Sequence, residues 1–117
     1  MSAFLGLDLH DLGAAVTASL GLMGLVRPDA AAAFTHVRPS GAVGVSEIRA
    51  TYGGFFLALG AYALWTQAPL AFTTAGVAWA GAAAGRLVSV FVDRSTSATN
   101  AGGVVFEAAV AALLLFG

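Results

Sequence analysis

Four side chains in this sequence have the types and spacing to recognise a polar group in apolar surroundings: Arg49, Tyr52, Arg86 and Glu107. A guanidinium fork matches a carboxylate or phosphate edge-on. A phenol adds a hydrogen bond, and a carboxylate can orient an arginine or carry a proton. The stretch Ser46-Glu47-Ile48-Arg49-Ala50-Thr51-Tyr52-Gly53-Gly54 gathers charge, an aromatic hydroxyl and two glycines at the mouth of an apolar segment. Ser46 is placed to cap a helix there, and Glu47 suits its first turn. On that helix Tyr52 and Gly53 share the face of Arg49, and Phe56 and Gly60 continue it. A cation in a first helical turn works against the helix dipole. Arg49 therefore calls for an anionic partner or a route to water, and Glu47 and Asp93 are candidate partners.

Arg86 opens a second polar face, with Ser89 and Asp93 following it. A third face holds Asn100, Gly103 and Glu107. Arg86 precedes Asp93 by seven residues, and Glu107 follows Asn100 by seven. Each offset is about 10 Å of helix. Joined as a hairpin, the two segments bring Arg86 and Glu107 to matching depth. Each charge alone would cost roughly 2.5–3.5 kcal/mol at the centre of a membrane helix, so pairing is the expected solution. The spacing predicts a polar cluster of Arg49, Tyr52, Arg86 and Glu107 in one half of a helical bundle.

The elements that must position these residues follow from composition. The chain has 117 residues, is 59% hydrophobic and only 9% charged. Soluble domains are about 45–50% apolar with roughly 25% charged residues, and a chain this short cannot hide the excess in a core. Lipid is the expected solvent. Lysine is absent and the net charge is −1, which argues against a nucleic-acid partner. Without cysteine there are no disulfides, thiol chemistry or Cys-ligated clusters. The acidic start, Met1 to Asp11, lacks the basic lead of a signal peptide, so the first apolar run is expected to be retained.

Four apolar segments are expected to cross the membrane, at about 5–26, 47–65, 69–92 and 99–116; the last three are near the ~20 residues a span needs, and the first is short unless its acidic start lies at the interface. Runs such as Ala61 to Trp65 and Ala108 to Leu115 do not alternate, which excludes strands of a barrel. The expected fold is an all-α, four-helix transmembrane bundle with up-down topology, one domain over 1–117. Thr66-Gln67-Ala68-Pro69 makes a tight turn with Pro69 opening the next helix. Asp93 to Ala98 makes another. The longest connection, Arg27 to Ser46, carries a short interfacial helix at Ala30 to Phe34. With four crossings, Arg27, Arg38, Arg49, Arg86 and Arg94 fall on one side. By the positive-inside rule that side is cytoplasmic, so both termini are expected outside the cytoplasm. Trp65 falls at the opposite boundary, where tryptophan anchors are common.

The elements Glu47-Ile48-Arg49-Ala50-x-Tyr52-Gly53-Gly54 and Gly85-Arg86-Leu87-x-Ser89, followed by Glu107 inside the last helix, resemble an uncharacterised family of small bacterial four-helix membrane proteins related to the DoxX-like group. The resemblance runs from about Glu47 onward, and the first helix matches in hydropathy alone. Its Asp93-Arg94-Ser95-Thr96-Ser97 turn is more polar than that family's Asp-Gly turn. The resemblance implies the fold and a location in the bacterial inner membrane. It implies no reaction.

Plainer roles stand beside these. Arg86 with Glu107 reads first as an ion pair that specifies packing. Gly53, Gly54, Gly81 and Gly85 read as helix-contact residues, and Trp79 as packing. His10 and His36 are expected to be interfacial and solvated. Asp8, His10 and Asp11 bring metal-ligand types together near a terminus, but no metal is expected, and neither histidine lies where a haem between helices would need it. There is no phosphate-binding loop and no HExxH. No catalytic residue and no cofactor is assigned. The expected function is binding of an amphipathic, lipid- or quinone-like ligand, with Arg49 and Arg86 on its head, Tyr52 hydrogen-bonding it and Glu107 orienting Arg86. The alternatives are a structural or assembly subunit of a membrane complex or a homo-oligomer, and a small proton-coupled transporter using Glu107.

Overall fold

The computed structural model describes residues 8–117. Among these the fold is all-helical. Helix α1 spans Leu9–Val26, α2 Pro28–Thr35 and α3 Gly41–Glu47. A π-helical segment, Ile48–Phe55, leads into α4, Phe56–Thr66. Helices α5, Pro69–Val92, and α6, Ala98–Phe116, complete the chain. Three helices, α1, α5 and α6, are long and apolar enough to cross a membrane. Residues 5–7 of the first expected span lie outside the described residues.

The helix expected to begin at Glu47 begins at Gly41. Ser46 is therefore inside α3 and does not cap it. Ser40 occupies the cap position, without a side-chain cap bond. Glu47, Ile48, Phe55 and Phe56 all keep right-handed helical angles, so α3, the π-helical segment and α4 run on as one helical path. Pro28 opens α2 and Pro69 opens α5, each at a position where its missing N–H costs nothing. His36 and Gln67 end α2 and α4 in the left-handed conformation.

Packing divides the described residues into two compact units, one of residues 8–13 with 68–117 and one of Ala14–Gln67. In the first, α5 and α6 form an antiparallel hairpin. Phe72, Ala75, Gly76, Trp79 and Ala83 are the buried positions of α5, a stripe at helical spacing. Val110, Ala111 and Leu114 are buried on α6. Trp79 meets Phe106 edge-on, with ring centroids 6.0 Å apart. The first turn of α1 joins this unit through His10, whose ring lies 4.2 Å from that of Phe72. A methyl group at Gly13 would come within 2.8 Å of Leu114 Cγ, so the helices meet there without an intervening side chain.

In the second unit, α1 packs against the π-helical segment and α4 through glycines. A methyl group at Gly60 would lie 2.5 Å from the Ala18 nitrogen, and one at Gly53 would lie 2.8 Å from the Leu25 nitrogen. Gly21 faces the backbone of Leu57, and Gly24 faces the Tyr52 carbonyl. Small residues are what let helix backbones meet this closely. By contrast Gly81 and Gly85, expected at a contact, have no atom near enough to meet an added methyl. Ala31 and Ala32 of α2 form a small buried cluster with Ile48, against which Met23 and Tyr52 pack.

Candidate functional site

Arg86 and Glu107 meet as the hairpin register predicts. Arg86 Nε donates to Glu107 Oε1 at 2.8 Å, and an Arg86 terminal nitrogen donates to Oε2 at 2.9 Å. This two-toothed geometry is the strong form of the pair. The other terminal nitrogen donates to Asn100 Oδ1 at 2.8 Å. Asn100 Nδ2 in turn donates to the Ser95 carbonyl at 2.9 Å. The Asn100 amide donates to Ser97 Oγ at 3.1 Å, which caps α6. Ser89 donates to Asp93 at 2.7 Å at the end of α5. The guanidinium is thus tied through Asn100 to the turn that joins the two helices. Glu107 is 14% exposed and Arg86 37%.

Gly103 makes this arrangement possible. It lies three residues after Asn100 and four before Glu107, on the same face of α6. A methyl group there would come within 2.8 Å of both Cζ and Nε of Arg86. The guanidinium occupies the space a side chain at 103 would fill. The sequence places Gly103 on the polar face, but nothing in its type says that it is a seat for Arg86.

Arg49 and Tyr52 belong to the second unit. Arg49 is exposed, and a terminal nitrogen donates to the Leu25 carbonyl. Leu25 is in the last turn of α1, where carbonyls lack helical partners and a cation suits the dipole. Among the described residues Arg49 has no carboxylate partner, Glu47 included. Tyr52 is half-buried. Its ring meets Phe56 edge-on at 6.0 Å, and its hydroxyl bonds to no described residue. The π-helical segment alters the facing expected of these residues. Bonding from i to i+5 widens the turn, so residues four to five apart stack, rather than three to four. Arg49 and Gly53 do share a face, and both meet Leu25. Tyr52 turns away toward Met23 and the α2 cluster. Nothing in the residue types signals the π turn.

On the connection after α1, Arg27 and Asp29 form an exposed two-bond pair at 3.2 and 3.1 Å. The Arg27 hydrogen bond holds the Asp29 carboxyl below its ordinary range. His36 is exposed, as expected, and with Asp29, Arg38 and Pro39 it lines a shallow groove of about 500 Å³ on α2. His10 is only partly solvated. Its side chain is 24% exposed, and Asp11 beside it is buried.

The family model described as a domain of unknown function, DUF4345, matches residues 11–117. The chain belongs to this family. The DUF4345 match takes in every residue of both clusters, Arg49 with Tyr52 and Arg86 with Glu107. No curated protein and no solved structure matches the chain.

Proposed function

We propose that this DUF4345 chain is a four-helix, up-down membrane protein, one domain over 1–117, that binds the anionic head of an amphipathic, lipid- or quinone-like ligand at Arg49. Three apolar helices support membrane insertion, and the continuous helical path over 41–66 supplies the fourth crossing. With the arginines on one side, that side faces the cytoplasm of a bacterial inner membrane and both termini face away. A place in the DoxX-like group fits the same residues.

The observation that carries the binding role is the state of Arg49. Its guanidinium is exposed and, among the described residues, engages a single carbonyl, on Leu25. The rest of its donor fork is open to a phosphate or carboxylate, and a fork suits both. Tyr52 faces Met23 and the α2 cluster instead, so Arg49 is the residue of this segment that engages the head. Arg86 is differently placed. Glu107 and Asn100 already fill its edge, so the Arg86 cluster acts as a clamp that sets the α5–α6 register.

The test is mass spectrometry of amphiphiles that co-purify in mild detergent. Arg49→Ala is expected to keep the wild-type helical signal by circular dichroism and lose the bound anionic species. Equal amounts of the same amphiphile on wild type and variant would overturn the binding role and favour a purely structural subunit.

A further inference from the structure

We propose that Asp8, His10 and Asp11 form a binding site for a divalent transition-metal ion at the start of α1. One ligand atom from each of the three side chains lies within 4.8 Å of the others. His10 Nε2 is 3.7 Å from Asp8 Oδ2 and 4.0 Å from Asp11 Oδ1. Two ligands each about 2.1 Å from one tetrahedral ion sit about 3.4 Å apart. Small rotations of side chains already facing one another close the difference.

A second observation points to a cation. Asp8 Oδ1 is buried and, among the described residues, has no hydrogen-bond partner. Native structures rarely leave a buried carboxylate oxygen so, and a bound ion is one of the standard explanations. The surroundings are built rather than loose. Asp11 is 5% exposed, and its Oδ2 accepts from the Asp8 amide at 2.9 Å, which turns Oδ1 toward His10. The His10 ring is held against Phe72, and Gly117 abuts the His10 backbone nitrogen. Asp8 and His10 keep about a quarter of their side-chain surface open, 28% and 24%, which leaves a path for an ion and for water to complete its shell. One imidazole with two carboxylates suits a borderline ion such as Zn²⁺ or Mn²⁺ over a soft one.

The test uses full-length, tag-free protein in detergent, stripped with chelator and titrated with ZnCl₂ or MnCl₂ by calorimetry, with elemental analysis of the bound ion. Wild type is expected to take up about one ion per chain. His10→Phe keeps an aromatic ring against Phe72 and removes the ligating nitrogen, so it is expected to weaken binding by at least about tenfold. Asp8→Ala, at a position about a quarter exposed, gives the same readout if His10→Phe does not fold. Absence of uptake by wild type, or uptake unchanged in a folded variant, overturns the site and leaves the three residues as a histidine–carboxylate ion cluster.

Discussion

Substituting alanine for Gly103 tests the clamp through a residue that touches it without bonding to it. A methyl group there would stand 2.8 Å from Arg86 Cζ and Nε and 3.0 Å from Cδ. Carbon contacts relax to roughly 3.5–4.0 Å, so the guanidinium must withdraw from α6 by about 0.7–1.2 Å. Asn100 and Glu107 lie on that same helix face, so the three bonds at 2.8, 2.8 and 2.9 Å lengthen together, to the edge of hydrogen-bonding range. Hydrogen bonds to charged groups contribute about 1.5–3 kcal/mol each. Arg86 is 37% exposed, so solvent screening holds the combined loss to about 1–2 kcal/mol. Replacing a helical glycine by alanine returns roughly 0.5–1 kcal/mol. Gly102 supplies the control, because a methyl group there meets nothing within 4 Å. Gly102→Ala gains the helix propensity alone, and the difference between the two variants cancels it. Equilibrium unfolding of each in mixed micelles, followed by circular dichroism and tryptophan fluorescence, is expected to put Gly103→Ala about 1–2 kcal/mol below Gly102→Ala. Agreement between the two variants within about 0.5 kcal/mol would show that the guanidinium is not seated on Gly103.

Two further outcomes follow from the same geometry. A double-mutant cycle with Arg86→Ala and Glu107→Ala is expected to show coupling of about 1–2 kcal/mol in the same unfolding assay, because each single variant strands a charge the other had neutralised. Additive single effects would contradict the clamp. For the pair outside the apolar helices, the Asp29 carboxyl is lowered by the Arg27 hydrogen bond. A lowered folded pKa adds stability above the unfolded value of about 3.9, and that stability fades as pH falls through the folded value. Asp29→Asn is therefore expected to lower stability slightly at neutral pH and to flatten the acid limb of a stability profile below about pH 4. Arg27→Gln is expected to mimic it, and a flattening confined to neutral pH would contradict the assignment.

Much of the arrangement was legible in the residues because the terms that decide it are local or one-dimensional. Apolar run length predicts helices at 69–92 and 99–116, and the structure has them at Pro69–Val92 and Ala98–Phe116. Equal offsets from a short polar turn predict Arg86 against Glu107, since helical rise is constant and the turn leaves little slack. Pro28 and Pro69 mark helix starts because a proline ring suits the first helical position. What remained hidden depends on neighbours distant in sequence. Gly53 and Gly103 are contact positions, while Gly81 and Gly85 in a small-xxx-small pattern are open; spacing alone cannot say which face another backbone will meet. The π-helical segment was equally hidden, since no residue type in Ile48–Phe55 marks the wider turn.

The stretch from Ser46 to Gly54 shows where that division falls. Its amino-acid types determine that a cation, a phenol and two glycines stand together on a helix, since each carries its chemistry in any context. Only the tertiary structure decides that the helix starts earlier, at Gly41, that it widens into a π turn, and that Arg49 reaches the end of α1 while Tyr52 packs on α2. The same holds at the N-terminus. Asp8, His10 and Asp11 are ligand types by sequence, and packing against Phe72 and the end of α6 is what turns a polar stretch into a partly buried cluster. Side-chain chemistry is a property of the residue, whereas exposure and facing are properties of the packing around it.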